Sequence, residues 1–292
     1  ITYRLTPDRG RFNDYFNISH PTIEWPEFKA QNNLDTLKVA ENDTINATGT
    51  HLKDTVSDVK CAIRYLRNQA TALSVNANKI ALMGFSAGAH MSMLAGLTSD
   101  GPVADWENKG GYSGVSTAVK AMVSMAGPSG RFGELYNKFP KDIVCDFRAA
   151  FRLDRGACYE NGGIPTLASA EAEAFKVYEP INANYIGKSI NAGMPLLMLQ
   201  GGQDSVLNGL DTTTSKNSQL TAMVSAMNNA ATAAGRTGNA HGKVYDNGTH
   251  DDFNGGGLCA AEASTAAIAF LNAYVKGSGS PSEIQTFANT LA

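Results

Sequence analysis

Apolar positions along the chain fall into short, largely apolar runs separated by stretches of helical spacing. Residues 80–83 (Ile-Ala-Leu-Met), 119–125 (Val-Lys-Ala-Met-Val-Ser-Met) and 195–200 (Pro-Leu-Leu-Met-Leu-Gln) are strand-length runs, stopped by Gly84, by Ala126-Gly127-Pro128 and by Gly201-Gly202. Runs without polar alternation predict strands buried on both faces. Residues 1–5 and 243–245 add shorter strands on their β-branched and aromatic content. Between these runs lie helices. Residues 54–69 carry Val56, Val59, Ile63 and Leu66 at helical spacing, with Lys60, Arg64 and Arg67 on the other side. Residues 215–234 are alanine-rich and closed by Gly235, and 259–274 form an amphipathic terminal helix. Strands alternating with helices predict the α/β class: a mostly parallel sheet covered by helices on both faces.

Two stretches break the pattern. Residues 7–50 are polar and irregular, with Pro7, Pro21 and Pro26, and a connection this long inside a domain is usually functional. Residues 129–190 show no strand alternation and hold charged, aromatic and cysteine-bearing pieces, as expected of an insertion or cap over the sheet. The expectation is a single domain over 1–292 with insertions at 7–50 and 129–190.

Composition narrows the partners. Of 292 residues, 43% are hydrophobic and 17% charged, which suits a folded domain and argues against disorder. A net charge of −3 gives no electrostatic reason to expect nucleic acid or an anionic membrane as partner, and no apolar run reaches membrane-spanning length. Four cysteines admit three fully bridged pairings. Cys145 with Cys158 and Cys61 with Cys259 are the candidate bridges, four buried thiols the alternative. Asn-x-Ser/Thr triplets begin at Asn17, Asn42, Asn46 and Asn247. Together these favour a secreted or periplasmic protein over a cytoplasmic one.

The candidate chemistry centres on Gly84-Phe85-Ser86-Ala87-Gly88, set between an apolar run and a helix-forming stretch. Gly-x-Ser-x-Gly in that setting is the sequence form of a strand, a sharp turn bearing a nucleophile, and a helix. Glycines flank the serine because side chains there would collide with so tight a turn. An alkyl hydroxyl is a poor nucleophile, so Ser86 needs a base in hydrogen-bond reach and an acid to orient it. In an open parallel sheet those partners sit beyond the carboxyl ends of later strands. Asp204, just past 195–200, and His250, just past 243–245, meet that requirement in the order serine, acid, histidine. The backbone N–H of Ala87 is the oxyanion donor that the motif itself supplies. His90, one helical turn past Ser86, reads as structural. His20 and His51 precede the serine, and His241 precedes its strand. Asp211, Asp246 and Asp251 are the alternatives for the acid. No Cys or His pairs stand at metal-ligand spacing and no phosphate-cradling loop is present, so neither metal nor other cofactor is expected. Asp251-Asp252 and Gly255-Gly256-Gly257 read as polar and flexible loop.

These motifs extend into a family resemblance. Tyr3-Arg4-Leu5, Asp58 through Arg67, Asn78 through His90, Gly127-Pro128, Glu179-Pro180-Ile181-Asn182, Gly201 through Asp204 and Gly248-Thr249-His250 together resemble the α/β-hydrolase esterases of the hormone-sensitive-lipase-like and feruloyl or acetylxylan esterase-like group. The resemblance implies a Ser86–Asp204–His250 triad that hydrolyses carboxylic esters, small or polymer-linked, through an acyl-enzyme and without a cofactor. In that group a strand and a His-Gly-Gly oxyanion loop precede the Tyr-Arg-Leu strand. This sequence starts at Ile1, inside the later strand, so an additional N-terminal segment or a second chain is expected to complete the site. Trp25, Phe28, Trp106, Phe132, Tyr136 and Phe139 are candidate pocket walls, ordinary packing being the alternative for each. A binding protein on the same scaffold, or an amidase or peptidase, are the competing functions.

Overall fold

The computed structural model describes residues 52–101, 104–107, 111–130, 175–188, 193–207, 218–253, 256–277 and 279–291, and residues 132, 136, 172 and 191 singly. The expected strand at 1–5, the 7–50 insertion, most of 129–190 and both Cys145 and Cys158 lie outside these residues.

Among the described residues the sheet has four strands in the order β1-β2-β3-β4: β1 (Leu82–Phe85), β2 (Met122–Met125), β3 (Leu196–Gly201) and β4 (Ala240–Tyr245). Every neighbouring pair is parallel, with Phe85 opposite Met125, Met125 opposite Leu199 and Gly201 opposite Tyr245. All carboxyl ends therefore point the same way, and the loops that leave them share one edge of the sheet. β3 is buried along its whole length, as its unbroken apolar run requires.

Two strand boundaries differ from the expectation. β1 does not stop at Gly84, because Gly84 and Phe85 still pair with Ser124 and Met125, so Ser86 follows directly on the strand. β4 starts at Ala240, before the β-branched residues. The Asn228 side chain accepts from the Ala240 N–H at 3.0 Å and donates to its carbonyl at 2.9 Å, supplying both backbone bonds at the strand's start.

Helices cover both faces. α1 (Leu52–Asn68) packs on α2 (Ala87–Leu97) and on the short α3 (Ala104–Glu107), while α2 packs on β1 and β2. α2 is buried from Ala89 through Leu97, which is why its sequence is apolar all round with no amphipathic stripe. The one-turn α4 (Ala183–Ile186) is capped by the Asn182 side chain, which accepts from the Asn184 N–H. α5 (Ser218–Ala233) lays Leu220, Met223 and Met227 against β3 and β4. α6 (Ala260–Leu271) buries Ala263, Ala266, Ala267 and Phe270, and runs through a π-helical turn at Asn272–Lys276 towards α7 (Pro281–Ala288). α7 opens on a capping box between Ser280 and Glu283, with Pro281 in its first turn. No helix among the described residues is long and apolar enough to cross a membrane.

The cationic face of α1 is not a solvent face. Lys60 and Arg64 are fully buried. Lys60 donates to the Thr98 carbonyl at 2.7 Å and pairs with Glu107 at 2.6 Å. Arg64 donates to the Gly111 and Glu107 carbonyls, and Arg67 to those of Ala77, Ser116 and Ala118. Long cationic side chains donate to the carbonyls at the end of α2 and in the 111–118 turn, which no backbone ladder satisfies. Burial pushes the Lys60 ammonium below its ordinary pKa, with the Glu107 carboxylate pulling the other way. The candidate Cys61–Cys259 bridge is not formed; Cys61 sits within α1 and Cys259 at the start of α6.

Candidate active site

Ser86 occupies the step between β1 and α2. Its backbone has φ 50 and ψ −120, a conformation side chains rarely adopt, worth roughly 1–3 kcal/mol of strain. Neighbouring contacts hold it there. The Ser86 N–H donates to the Met125 carbonyl at 2.8 Å, prolonging the sheet ladder, while its own carbonyl accepts from Ala89 and His90 and starts the helix. The turn is so tight that a Cβ at Gly84 would lie 2.2 Å from the Gly88 carbonyl oxygen. Only glycine fits at 84. Ala87, exposed at the first position of α2, carries one of the N–H groups that a helix start leaves without an intrahelical acceptor.

Asp204 follows β3 through Gly201-Gly202 and is fully buried. Its Oδ1 accepts from the Val206 and Leu207 N–H groups at 2.9 and 2.8 Å, leaving Oδ2 for His250 Nδ1 at 2.9 Å. His250 comes from the loop after β4, and its Nε2 lies 2.8 Å from Ser86 Oγ. An ionised carboxylate can only accept, so Nδ1 carries the proton and Nε2 presents a lone pair to the serine hydroxyl. The acid and histidine loops are laced by backbone. Gly202 N–H donates to the Tyr245 carbonyl at 2.8 Å and Gln203 N–H to that of Gly248 at 2.9 Å. A Cβ at Gly201 would sit 2.2 Å from that same Gly248 oxygen, which accounts for the glycine there.

Two contributors to this geometry escaped the sequence reading. The Phe85 ring packs on the His250 imidazole, with centroids 5.2 Å apart. Its adjacency to Ser86 was the available signal. Asp252, read as part of a polar loop, accepts through Oδ2 from the Thr249 N–H and Oγ1 at 2.7 and 2.8 Å, and through Oδ1 from the Leu258 N–H at 3.2 Å. The Thr249 bonds hold its carboxyl below the usual carboxylate range.

The competing residues lie elsewhere. His241 is in β4, hydrogen-bonded through Nε2 to the Tyr274 hydroxyl at 3.1 Å, and Asp246 and Asp251 are exposed. His20, His51 and Asp211 lie outside the described residues, as do Trp25, Phe28 and Phe139. Trp106, Phe132 and Tyr136 are buried, against Tyr178, His90 and Phe175 respectively. Among the described residues no cluster of three His, Cys, Asp or Glu side chains could hold a metal ion.

His90 is buried within α2, with Nδ1 2.9 Å from the Pro128 carbonyl. Burial outweighs the pull of the Pro128 and Tyr178 carbonyls and lowers its pKa from 6.5 to about 4. The native state therefore favours the neutral ring. Its advantage is complete above pH 6.5 and drains away as pH falls towards 4, by roughly 3 kcal/mol. His241, lowered by burial as well, acts in the same direction. Urea midpoints measured across this window should fall with acidification. His90→Gln, which keeps an N–H for the Pro128 carbonyl, should flatten the slope; an unchanged slope would remove His90 as its source.

The BD-FAE family model matches residues 43–218. A search of curated protein sequences gives no match. Among solved structures, Thermogutta terrifontis esterase 2 phosphonylated by sarin is 21% identical at a TM-score of 0.52, over 76% of this chain and 67% of that one. The butyrate-bound thermophilic esterase of the same Planctomycetes species is 22% identical at 0.50, over 76% and 66%. A truncated carbohydrate esterase from gut microbiota is 22% identical at 0.47, over 68% and 61%. The chain thus spans roughly three fifths to two thirds of the length of these structures. The two Thermogutta structures share its α/β-hydrolase fold.

Proposed function

The chain belongs to the BD-FAE family of esterase-like α/β-hydrolases, and from that premise we propose that it is a serine carboxylic-ester hydrolase in which Ser86 is the nucleophile, His250 the general base and acid, and Asp204 the residue that orients the imidazole. One observation carries this reading: the hydrogen-bonded line from Asp204 Oδ2 through His250 to Ser86 Oγ, at 2.9 and 2.8 Å.

The chemistry follows from the proton positions. With Nε2 unprotonated, His250 takes the Ser86 proton as Oγ attacks the ester carbonyl carbon. The resulting imidazolium is stabilised by the buried Asp204 carboxylate, which two backbone N–H groups hold in place against the ring. The oxyanion is met by the Ala87 N–H at the positive end of α2, a donor of a kind worth about 3 kcal/mol to the transition state. Collapse breaks the ester C–O bond, and His250 returns its proton to the departing alcohol, leaving Ser86 acylated. Water, deprotonated by the same nitrogen, then releases the acid and restores the serine. No step calls for a cofactor.

The Thermogutta esterase is phosphonylated by sarin, and the same class of reagent tests this chain. A fluorophosphonate should add once, with peptide masses placing the adduct on Ser86. Hydrolysis of short-chain p-nitrophenyl esters should fall in step with labelling, while matched anilides stay uncleaved. A folded protein that takes no adduct would sink the proposal in favour of a binding protein on a hydrolase scaffold.

A further inference from the structure

We infer that Asp252 is a positioning residue for His250: its carboxylate ties Thr249, just before the histidine, to Leu258 further along the chain. The inference rests on the proposed hydrolase function. The two ring bonds to Asp204 and Ser86 set the rotation of the imidazole, but they do not place the backbone that carries it. On the amino side, the path is fixed as far as Gly248, whose N–H donates to the Tyr245 carbonyl and whose carbonyl accepts from Gln203. Beyond that point Asp252 takes over. Its Oδ2 accepts both the N–H and the hydroxyl of Thr249, the residue immediately before His250, and its Oδ1 accepts the N–H of Leu258.

The same residue anchors the return of the loop. Its carbonyl accepts from the Cys259 N–H at 3.2 Å, and a Cβ at Gly257 would lie 2.5 Å from its Cα. Next to it, buried Phe253 packs edge-on against Tyr245 at the end of β4, 5.6 Å between ring centroids. A single carboxylate thus joins residues 249 and 258 across the 3-10 turn Asp251–Phe253. The ring nitrogens of His250 are taken by Asp204 and Ser86, not by Asp252. Asp252 acts through the backbone, so its loss should displace Nε2 from Ser86 Oγ without altering what the substrate touches. Misplacement on the order of 1 Å costs up to about 100-fold in rate.

The experiment compares wild type with Asp252→Ala, Asp252→Asn and Thr249→Val, using p-nitrophenyl ester turnover, fluorophosphonate titration of competent sites and thermal unfolding. Counting sites separates misplacement from partial unfolding. For Asp252→Ala, kcat per titrated site should fall roughly 10- to 100-fold with KM within about twofold. Asp252→Asn keeps one acceptor oxygen and should recover part of that loss. Thr249→Val removes only a hydroxyl, so it folds even where Asp252→Ala does not, and should lower kcat by a few-fold. Wild-type kcat per site in Asp252→Ala, or in Thr249→Val if the alanine variant does not fold, overturns the inference and leaves the hydrolase function standing. Wild type that neither labels nor turns over an ester overturns the function, and the inference with it.

Discussion

Ser86→Ala is expected to abolish ester turnover, lowering kcat by about 10³-fold at least and as much as 10⁶-fold, with the protein still folded. The substitution deletes one oxygen from a partly exposed position, where water can take the vacated hydrogen bond to His250 Nε2. It leaves untouched the Ser86 N–H bond to Met125 and the carbonyl bonds that start α2, so the strained backbone step keeps its supports. Unfolding midpoints should therefore stay close to wild type. The measurement is steady-state hydrolysis beside thermal unfolding. Hydrolysis retained by well-folded Ser86→Ala would mean that the reaction takes place at another residue.

Asp204→Asn should be nearly as severe, about 10⁴-fold in kcat, for a reason that concerns one proton. The Val206 and Leu207 N–H groups demand an acceptor at Oδ1. The asparagine oxygen satisfies them, which turns the NH₂ group towards His250 Nδ1. That nitrogen must then accept, and the ring proton moves to Nε2, where it faces Ser86 Oγ. A histidine in that tautomer cannot receive the serine's proton. Asp204→Ala separates the two roles of the side chain: it also leaves the buried Leu207 N–H, and the more exposed Val206 N–H, without their acceptor, which should cost roughly 1–3 kcal/mol of stability beyond the loss of activity. Denaturant unfolding and turnover on both variants check this. If Asp204→Asn kept a tenth or more of the wild-type rate, tautomer control by Asp204 would be refuted.

The middle of the sheet was legible because β2 and β3 are buried almost throughout and so read as largely apolar runs. Residues 119–125 and 195–200 overlap β2 and β3 for this reason. Ser86, Asp204 and His250 could be named because a parallel sheet delivers loop residues to one edge in chain order, and hydrogen-bond distances now join all three. What stayed hidden was polar burial. Lys60 and Arg64 obey helical periodicity on the face that pattern assigns to water, but the carbonyls of Thr98, Glu107 and Gly111 and the Glu107 carboxylate accept from them inside the protein. The start of β4 was missed because a side chain of α5, not a run of β-formers, completes its ladder. Asp252 escaped because its partners, Thr249 and Leu258, come together only after the chain has turned back on itself.

The plain succession β1-β2-β3-β4 bears on how the protein comes into being on a ribosome. Each described strand lies beside the described strand that precedes it in the chain, so this part of the sheet can grow at one edge as the chain emerges. Ser86 arrives with the first of these strands and His250 follows the last. Between the synthesis of residue 86 and that of residue 250, the serine stands without its histidine partner. On the proposed function, a nascent chain, or one cut before residue 250, should be silent towards esters until the fourth strand docks and His250 reaches Ser86.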